Sequence, residues 1–439
     1  MTYRSAVTMF AVAVALAGLA GDPVLGGGNQ ENVLGTWHAP GTTLGMSGGL
    51  FDLDQDGRTE VLVGAPGARL GRAIGGVFVF DPRENGKLRL SQTLQAGDST
   101  GFSYTSIRDP GGGKGGFAIG AVNAGRGVPL SGQVFAYLRG DLDQPVRLAG
   151  EVTFDRFGFS LASGDLNGDG AADLVVGAPF HSLSPSLYQK GAVYVFFGPS
   201  LDTSTRVKLS GTATDTIGFS IATGDVNGDG VDDLLLEGTS RVLGFYGTKG
   251  AFSPSANLPD LIIKSSATGF GRAIVVADDV DDDSYNEVAV GAYRAAVAGA
   301  NETGSVFLVK GGGGTRTVDL NVASPSLLAR VDGLRASQFG SALGTAADLD
   351  GDGRRELVVG AVHADSERYR STGRVWVLKS TAVAGPDPFS TALVLDGDAP
   401  DMHFGAFVAA DATGRQLLVG APTERGNRGG FYRFDLANR

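Results

Sequence analysis

Cysteine is absent from the 439 residues, histidine occurs only four times, and lysine and arginine form no cluster anywhere along the chain. Without cysteine there is no disulfide scaffold and no thiolate zinc site. Without clustered basic side chains there is no surface suited to a phosphate backbone, and a formal charge of −11 with a pI near 4.9 argues the same way. Nucleic acid is therefore not an expected partner. No Gly-x-Ser-x-Gly elbow occurs, and the glycine runs 111–116 and 311–314 lack the order of a phosphate-cradling loop. His181 and His363 belong to distant parts of the repeat pattern described below and read as solvated surface residues rather than a catalytic pair. Long apolar runs are missing too, except at the very start.

That start reads as an export signal: Arg4 gives a positive opening, Val7 to Leu19 is mostly apolar, and Gly18-Leu19-Ala20 offers small residues for cleavage. The run is shorter than the ~20 residues that cross a bilayer, which favours cleavage near Gly21 over a retained anchor. With no cysteine there for a lipid, the expected product is a secreted or periplasmic protein with no membrane span. Glycine is plentiful, 70 residues, and 42% of the chain is hydrophobic, so many tight turns and a real core are both implied.

A unit repeats at a spacing of about 60 residues. Its anchors are Gly64-Ala65-Pro66, Gly120-Ala121-Val122, Gly177-Ala178-Pro179, Gly291-Ala292-Tyr293, Gly360-Ala361-Val362 and Gly420-Ala421-Pro422, with Glu237-Gly238 as a degenerate copy. Each follows a short apolar run such as Leu174-Val175-Val176 and precedes an alternating one such as Gly191 to Phe196. Both patterns read as strands. A third strand opens with Phe-Gly, as at Phe157-Gly158, Phe339-Gly340 and Phe404-Gly405, and a fourth lies in stretches such as Leu393-Val394-Leu395. A four-stranded antiparallel unit cannot bury both faces alone, so the units must pack radially with the small-residue strand innermost. The expected fold is all-β, a seven-bladed β-propeller of four-stranded antiparallel blades. Residues 21–439 would form one domain, with blades near 40–95, 96–150, 151–210, 211–262, 263–331, 332–397 and 398–439. Residues 25–39, including Val33-Leu34-Gly35-Thr36-Trp37, would lend an outer strand to the last blade and close the ring.

The Phe-Gly followed by Gly-Ala-Pro pattern, FG-GAP, resembles the propeller head of integrin alpha subunits across roughly residues 40 to 435. The resemblance implies extracellular adhesion or recognition.

Five units carry a nine-residue acidic loop between their first and second strands. Oxygen ligands are expected at positions 1, 3, 5 and 9, with a backbone carbonyl at position 7. The five sets are Asp52, Asp54, Asp56, Arg58 and Glu60; Asp165, Asn167, Asp169, Ala171 and Asp173; Asp225, Asn227, Asp229, Val231 and Asp233; Asp279, Asp281, Asp283, Tyr285 and Glu287; and Asp348, Asp350, Asp352, Arg354 and Glu356. Hard oxygens in that number suit Ca2+, up to five ions, better than Mg2+, which demands a tighter octahedron and keeps its water. An EF-hand needs a Glu at position 12, where these loops have Val63, Val176, Leu236, Val290 and Val359. Position 6 is Gly except at Ser284, and a tight bend is expected there. The loops hold 18 of the 47 acidic residues at their ligand positions, so five divalent ions would bring the charge close to neutral. Two units, with Asp109 to Gly113 and Asp411 to Gly414, lack the loop and are expected to bind no metal. This distribution departs from integrin heads, where the calcium loops usually lie in consecutive later blades.

In such a meander the acidic loops share one face, and the long connections 180–190, 293–303 and 363–372 lie on the other. Recognition is expected on that second face, where Tyr188, Tyr293 and Tyr369 could anchor an extracellular protein or a glycan. A protein-binding or adhesion module is the first functional expectation, a lectin-like propeller the second, and a calcium-dependent hydrolase with channel carboxylates the third.

Overall fold

The structure is a computed structural model that describes residues 33–40, 43–53, 56–70, 73–82, 88–94, 98–108, 115–125, 127–139, 141–184, 188–383, 388–390, 392–423 and 428–436. The export segment 1–20, Asp54 and the stretch 109–114 lie outside these residues.

Strand β1 (Val33–Pro40) is followed by β2 (Ser47–Phe51), β3 (Glu60–Leu70), β4 (Ala73–Pro82), β5 (Leu88–Leu94), β6 (Thr100–Ile107), β7 (Gly116–Ala121), β8 (Gln133–Tyr137) and β9 (Val146–Ala149). Next come β10 (Leu161–Gly164), β11 (Asp173–Ala178), β12 (Ala192–Phe196), β13 (Val207–Ser210), β14 (Ile221–Gly224), β15 (Asp233–Gly238), β16 (Arg241–Phe245) and β17 (Leu261–Lys264). The remaining strands are β18 (Phe270–Val276), β19 (Val288–Ala292), β20 (Ser305–Val309), β21 (Arg316–Asp319), β22 (Leu327–Asp332), β23 (Phe339–Thr345), β24 (Leu357–Ala361), β25 (Arg374–Leu378), β26 (Leu393–Asp396), β27 (Val408–Ala410), β28 (Gln416–Ala421) and β29 (Arg428–Asp435).

These strands build an all-β propeller, but not the expected seven blades of four strands each. Hydrogen bonding gives five separate blades and one eight-stranded sheet. Four of the five have four strands; the fifth, β14 to β17, gains β21, which runs parallel to β17 from Leu261–Arg316 to Lys264–Asp319. The eight-stranded sheet runs β2-β3-β4-β6-β7-β8-β9 with β5 on β4. Its two halves are joined by one parallel pair, Gly75 with Thr100. A side chain at Gly75 would sit 2.5 Å from the Thr100 nitrogen, so only glycine allows that approach. Comparable parallel bridges at Gly132–Phe157, Gly304–Phe339 and Gly373–Phe404 stay isolated and leave their sheets separate. Repeat spacing does not reveal which of these contacts will merge two sheets. The ring closes as the sequence implies, β1 pairing antiparallel with β29.

The core lies between neighbouring sheets. The second strand of each unit is buried along most of its length, as in β11 and β24, and its side chains enter clusters shared by two sheets. Each fully buried Val, Leu or Phe contributes about 1.5–3 kcal/mol by leaving water. The Phe of the Phe-Gly motif packs edge-on against the aromatic ring of the third strand: Phe339 on Trp376 at 5.3 Å, Phe404 on Tyr432 at 5.2 Å, and Phe157 on Tyr194 at 5.3 Å.

One contact explains why the two motif glycines occur together. The carbonyl of the Phe-Gly glycine in one unit rests on the Cα of the Gly-Ala glycine in the unit before, so that a Cβ at Gly360 would lie 2.3 Å from Gly405 O. Phe-Gly and Gly-Ala are thus two halves of a single joint between units.

The first strands β2, β6, β10, β14, β18, β23 and β27 line a central channel of about 1190 Å³. Tyr104 projects there against Gly49, where a Cβ would meet its ring at 2.0 Å. Among the described residues no helix is long and apolar enough to cross a membrane.

Candidate metal centres

The acidic loops connect β2 to β3, β10 to β11, β14 to β15, β18 to β19 and β23 to β24. Three hydrogen bonds recur in all five. The position 2 N–H donates to the position 9 carboxylate: Leu53 to Glu60, Leu166 to Asp173, Val226 to Asp233, Val280 to Glu287 and Leu349 to Glu356. The position 6 N–H donates to the position 1 carboxylate, on Asp52, Asp165, Asp225, Asp279 and Asp348. The position 7 N–H of Arg58, Ala171, Val231, Tyr285 and Arg354 donates to the position 5 carboxylate of Asp56, Asp169, Asp229, Asp283 and Asp352. At position 3, Asn167 and Asn227 accept from the N–H and donate to the carboxylate of Asp169 and Asp229. Position 6 has positive φ throughout, from +81° to +89° at the four glycines and +73° at Ser284, so serine tolerates the bend here.

The position 9 carboxylates are the most demanding groups. Asp173, Asp233 and Glu287 are 0% exposed and Glu356 is 1% exposed. Among the described residues none of these four faces a lysine or arginine within ion-pair distance. A buried carboxylate without a counter-charge is costly and is normally protonated or metal-bound. Burial, helped by Asp169 and Asp165 and opposed by N–H donors from Gly198 and Leu166, pushes Asp173 up to about 7. Burial likewise raises Asp233 to about 7, Glu287 to about 7, and Glu356 above its ordinary value.

The residues fit a divalent cation. Asp52 Oδ1, Asp281 Oδ1 and Glu287 Oε1 are buried with no hydrogen-bond partner. Ligand oxygens of Asp279, Asp281, Asp283 and Glu287 lie within 4.8 Å of one another, as do those of Asp348, Asp350 and Glu356. Both groups could hold a metal. The structure brings all five position sets into one register, with Asp54 alone outside the described residues. In the shortened connection, Asp411 instead accepts from Thr413 Oγ1 and the Gln416 N–H.

Three kinds of contact here were not among the sequence-derived candidates. Lys310 pairs with Asp281 and lies 3.5 Å from Asp283, and Lys379 lies 3.4 Å from Asp350. Position 8 reaches back to the preceding loop: Asp232 accepts the Asp165 N–H at 2.9 Å, Asn286 donates to Asp225 O at 2.7 Å, and Arg355 grips Asp278 at 2.6 Å. Connections between third and fourth strands touch the same loops, Gly250 N–H donating to Asn167 O and Gly312 N–H to Val226 O.

On the side of the long connections, Val128, Val152, Phe154, Phe180, Tyr188 and Gln189 line part of a shallow pocket of about 500 Å³. Tyr188 is 66% and Phe154 54% exposed, and Phe154 holds φ +68°, a conformation bulky side chains rarely adopt. Sequence reasoning found Tyr188 but missed Phe154, which sits on the link between β9 and β10. His181 is not the solvated residue expected: it is 3% exposed and bonds the wholly buried Asp155 at 3.0 Å. That carboxylate also accepts the Glu151 and Val152 N–H groups, so His181 completes a buried polar cap that periodicity cannot reveal. His363 is half-buried and packs edge-on against His403 at 4.7 Å. Burial and then His363 hold His403 below its ordinary value.

A family model described as FG-GAP repeat matches residues 157–196 and 339–378. The chain is similar to integrin alpha-IIb of Mus musculus, 37% identical over 171 residues, which is 35% of this chain and 16% of that protein. It is similar to integrin alpha-PS5 of Drosophila melanogaster, 33% identical over 155 residues, covering 33% of this chain and 15% of the other. Integrin alpha pat-2 of Caenorhabditis elegans is 28% identical over 241 residues, 48% of this chain and 18% of its own length. The chain thus carries FG-GAP repeats and is integrin alpha-like, while its matches span less than a fifth of these relatives.

Proposed function

We propose that this chain, with residues 21–439 as one domain, is an extracellular recognition module held by calcium on one face and binding a protein partner on the other. The observation that carries the first half is the set of buried carboxylates Asp173, Asp233, Glu287 and Glu356, which face no lysine or arginine among the described residues and repeat in one register. Calcium would be held by side-chain oxygens of Asp52, Asp56, Glu60 and their counterparts in the other four loops, with Asp54, Asn167, Asn227, Asp281 and Asp350 at position 3. When bound it supplies positive charge and folding free energy rather than chemistry, because an ion that binds only the folded form stabilises it.

The second half rests on the pocket around Tyr188 and Phe154 and on the integrin alpha similarity, which favours recognition over catalysis. Exposed aromatic side chains on a rigid scaffold supply contact area at little cost in order.

One experiment addresses both halves. The purified protein is stripped with chelator, calcium is titrated back while thermal unfolding is followed, and both forms are tested for capture from native extract and on a glycan array. A large saturable rise in Tm with several ions per chain is expected, with capture that is lost in a Phe154→Ser, Tyr188→Ser variant. No shift and no bound ion would overturn the calcium reading. Capture unchanged in the variant would move the partner surface elsewhere, and glycan binding without protein capture would favour the lectin reading.

A further inference from the structure

The five acidic loops are not equivalent, and the difference lies outside them. At the Asp165 and Asp225 loops position 3 is Asn, while at the Asp279 and Asp348 loops it is Asp281 and Asp350. The Asp52 loop also has an aspartate there, Asp54, and of these three loops with the additional carboxylate two have a lysine ammonium beside it, Lys310 on Asp281 and Lys379 on Asp350. These lysines occupy one structural position. β19 pairs Val288 with Val309 and β24 pairs Leu357 with Leu378, so each lysine is the first residue past the partner of position 10. In the Asn loops the same register places Phe197 and Tyr246 there, and in the first loop Asp81. The extra negative charge thus comes with a positive charge from the neighbouring strand in two of the three loops that carry it, and no cation stands at that position in the Asp52, Asp165 and Asp225 loops.

We propose that Lys310 and Lys379 are built-in competitors for the divalent ion and set the affinity of the Asp279 and Asp348 loops. This rests on the calcium reading above. In the ion-free protein each ammonium relieves the repulsion among carboxylates that sit within 4.8 Å of one another. When a divalent ion enters, it takes the same position 3 carboxylate, and the ammonium swings out to solvent, which its length allows: Lys310 is 32% and Lys379 39% exposed. A lysine can leave in this way because it is a flexible point charge, whereas an arginine fork would hold the carboxylate more firmly. Among the described residues the loops starting at Asp165 and Asp225 have no ammonium paired with a ligand carboxylate, and they fill first. Calcium binding therefore occurs in two classes, a tight one and a weaker one reporting on higher calcium levels.

The test is calcium binding by calorimetry together with thermal unfolding, on the wild type and on Lys310→Met, Lys379→Met and the double variant. Methionine keeps the length and apolar stem without the charge. In metal-free buffer the double variant is expected to have a lower Tm than wild type, because the carboxylates lose their counter-charge. At saturating calcium its Tm should match or exceed the wild type, and the weak class should tighten by about tenfold, the scale of removing a nearby like charge from a partly solvated ion. Lys→Arg at either position should keep the weak class weak. A Tm deficit that persists at saturating calcium would make the lysines merely structural and overturn the proposal, as would unchanged affinity in the weak class. Absence of calcium binding in the wild type would instead remove the reading on which the proposal stands, an outcome the calorimetry reports separately.

Discussion

At Gly360 one missing methyl group decides whether two units can meet. A Cβ there would lie 2.3 Å from the Gly405 carbonyl oxygen and 3.3 Å from its carbon, and a backbone carbonyl cannot step aside as a side chain can. Gly360→Ala is therefore expected to cost about 2–3 kcal/mol of unfolding free energy, the scale of overpacking. That outweighs the gain of about 0.4–1 kcal/mol from restricting the unfolded chain. Gly313→Ala is the control: nothing lies within 4 Å and φ is not positive, so the entropic gain should appear alone. Urea unfolding of both variants reads the difference, and equal effects would refute the joint. Glu237 stands where the other units have this glycine, and Arg272 lies 3.3 Å from its carboxylate, an ion pair taking over part of the junction.

At the scale of elements, the acidic loops were legible because every ligand position repeats with the same spacing. Position 8 was not legible, since Ala172, Asp232, Asn286 and Arg355 share no chemistry, and only the fold shows that the last three reach back to the preceding loop. Lys310 and Lys379 did leave a signal, each standing 23 residues after the position 9 glutamate, from 287 to 310 and from 356 to 379. It is invisible without knowing that the third strand returns its end to the loop. Blade separation was illegible for a different reason: a single Gly75–Thr100 pair decides it. The position 8 contacts imply that neighbouring loops sense each other. Arg355 and Asp278 are partly exposed, so their pair is worth only about 0.2–1 kcal/mol in stability. Arg355→Ala should thus change Tm little. It should, however, uncouple the Asp348 loop from the Asp279 loop in a double-mutant cycle of calcium affinities with Asp279→Ala, where a coupling near 1 kcal/mol is expected in the presence of Arg355. Additive effects with Arg355 intact would sink this coupling.

Across the whole molecule the acidic loops leave a signature in the dependence of stability on pH. Asp173, Asp233 and Glu287 rise from ordinary values of 3.8, 3.8 and 4.5 to about 7, with burial the first cause in each. Between about pH 4 and pH 7 the metal-free folded protein therefore keeps protons that the unfolded chain has released. Stability falls with rising pH wherever the folded state binds more protons, so the metal-free protein should weaken across that window and level off above it. Glu151 has the opposite sign: despite its burial cost, Lys208 and Arg206 hold it down to about 2, so the stability it lends is complete above its ordinary value of 4.5 and does not blur the window. Calcium should reverse the slope, because it binds the deprotonated oxygens and must displace these same protons. Five such ions would also offset most of the −11 charge, relieving repulsion around the ring. Urea midpoints from pH 4.5 to 8, on protein dialysed free of metal and on protein saturated with calcium, should give curves of opposite slope that diverge most near neutrality. Parallel curves would mean that the buried carboxylates exchange no proton for an ion, and that the loops are held by their own hydrogen bonds alone.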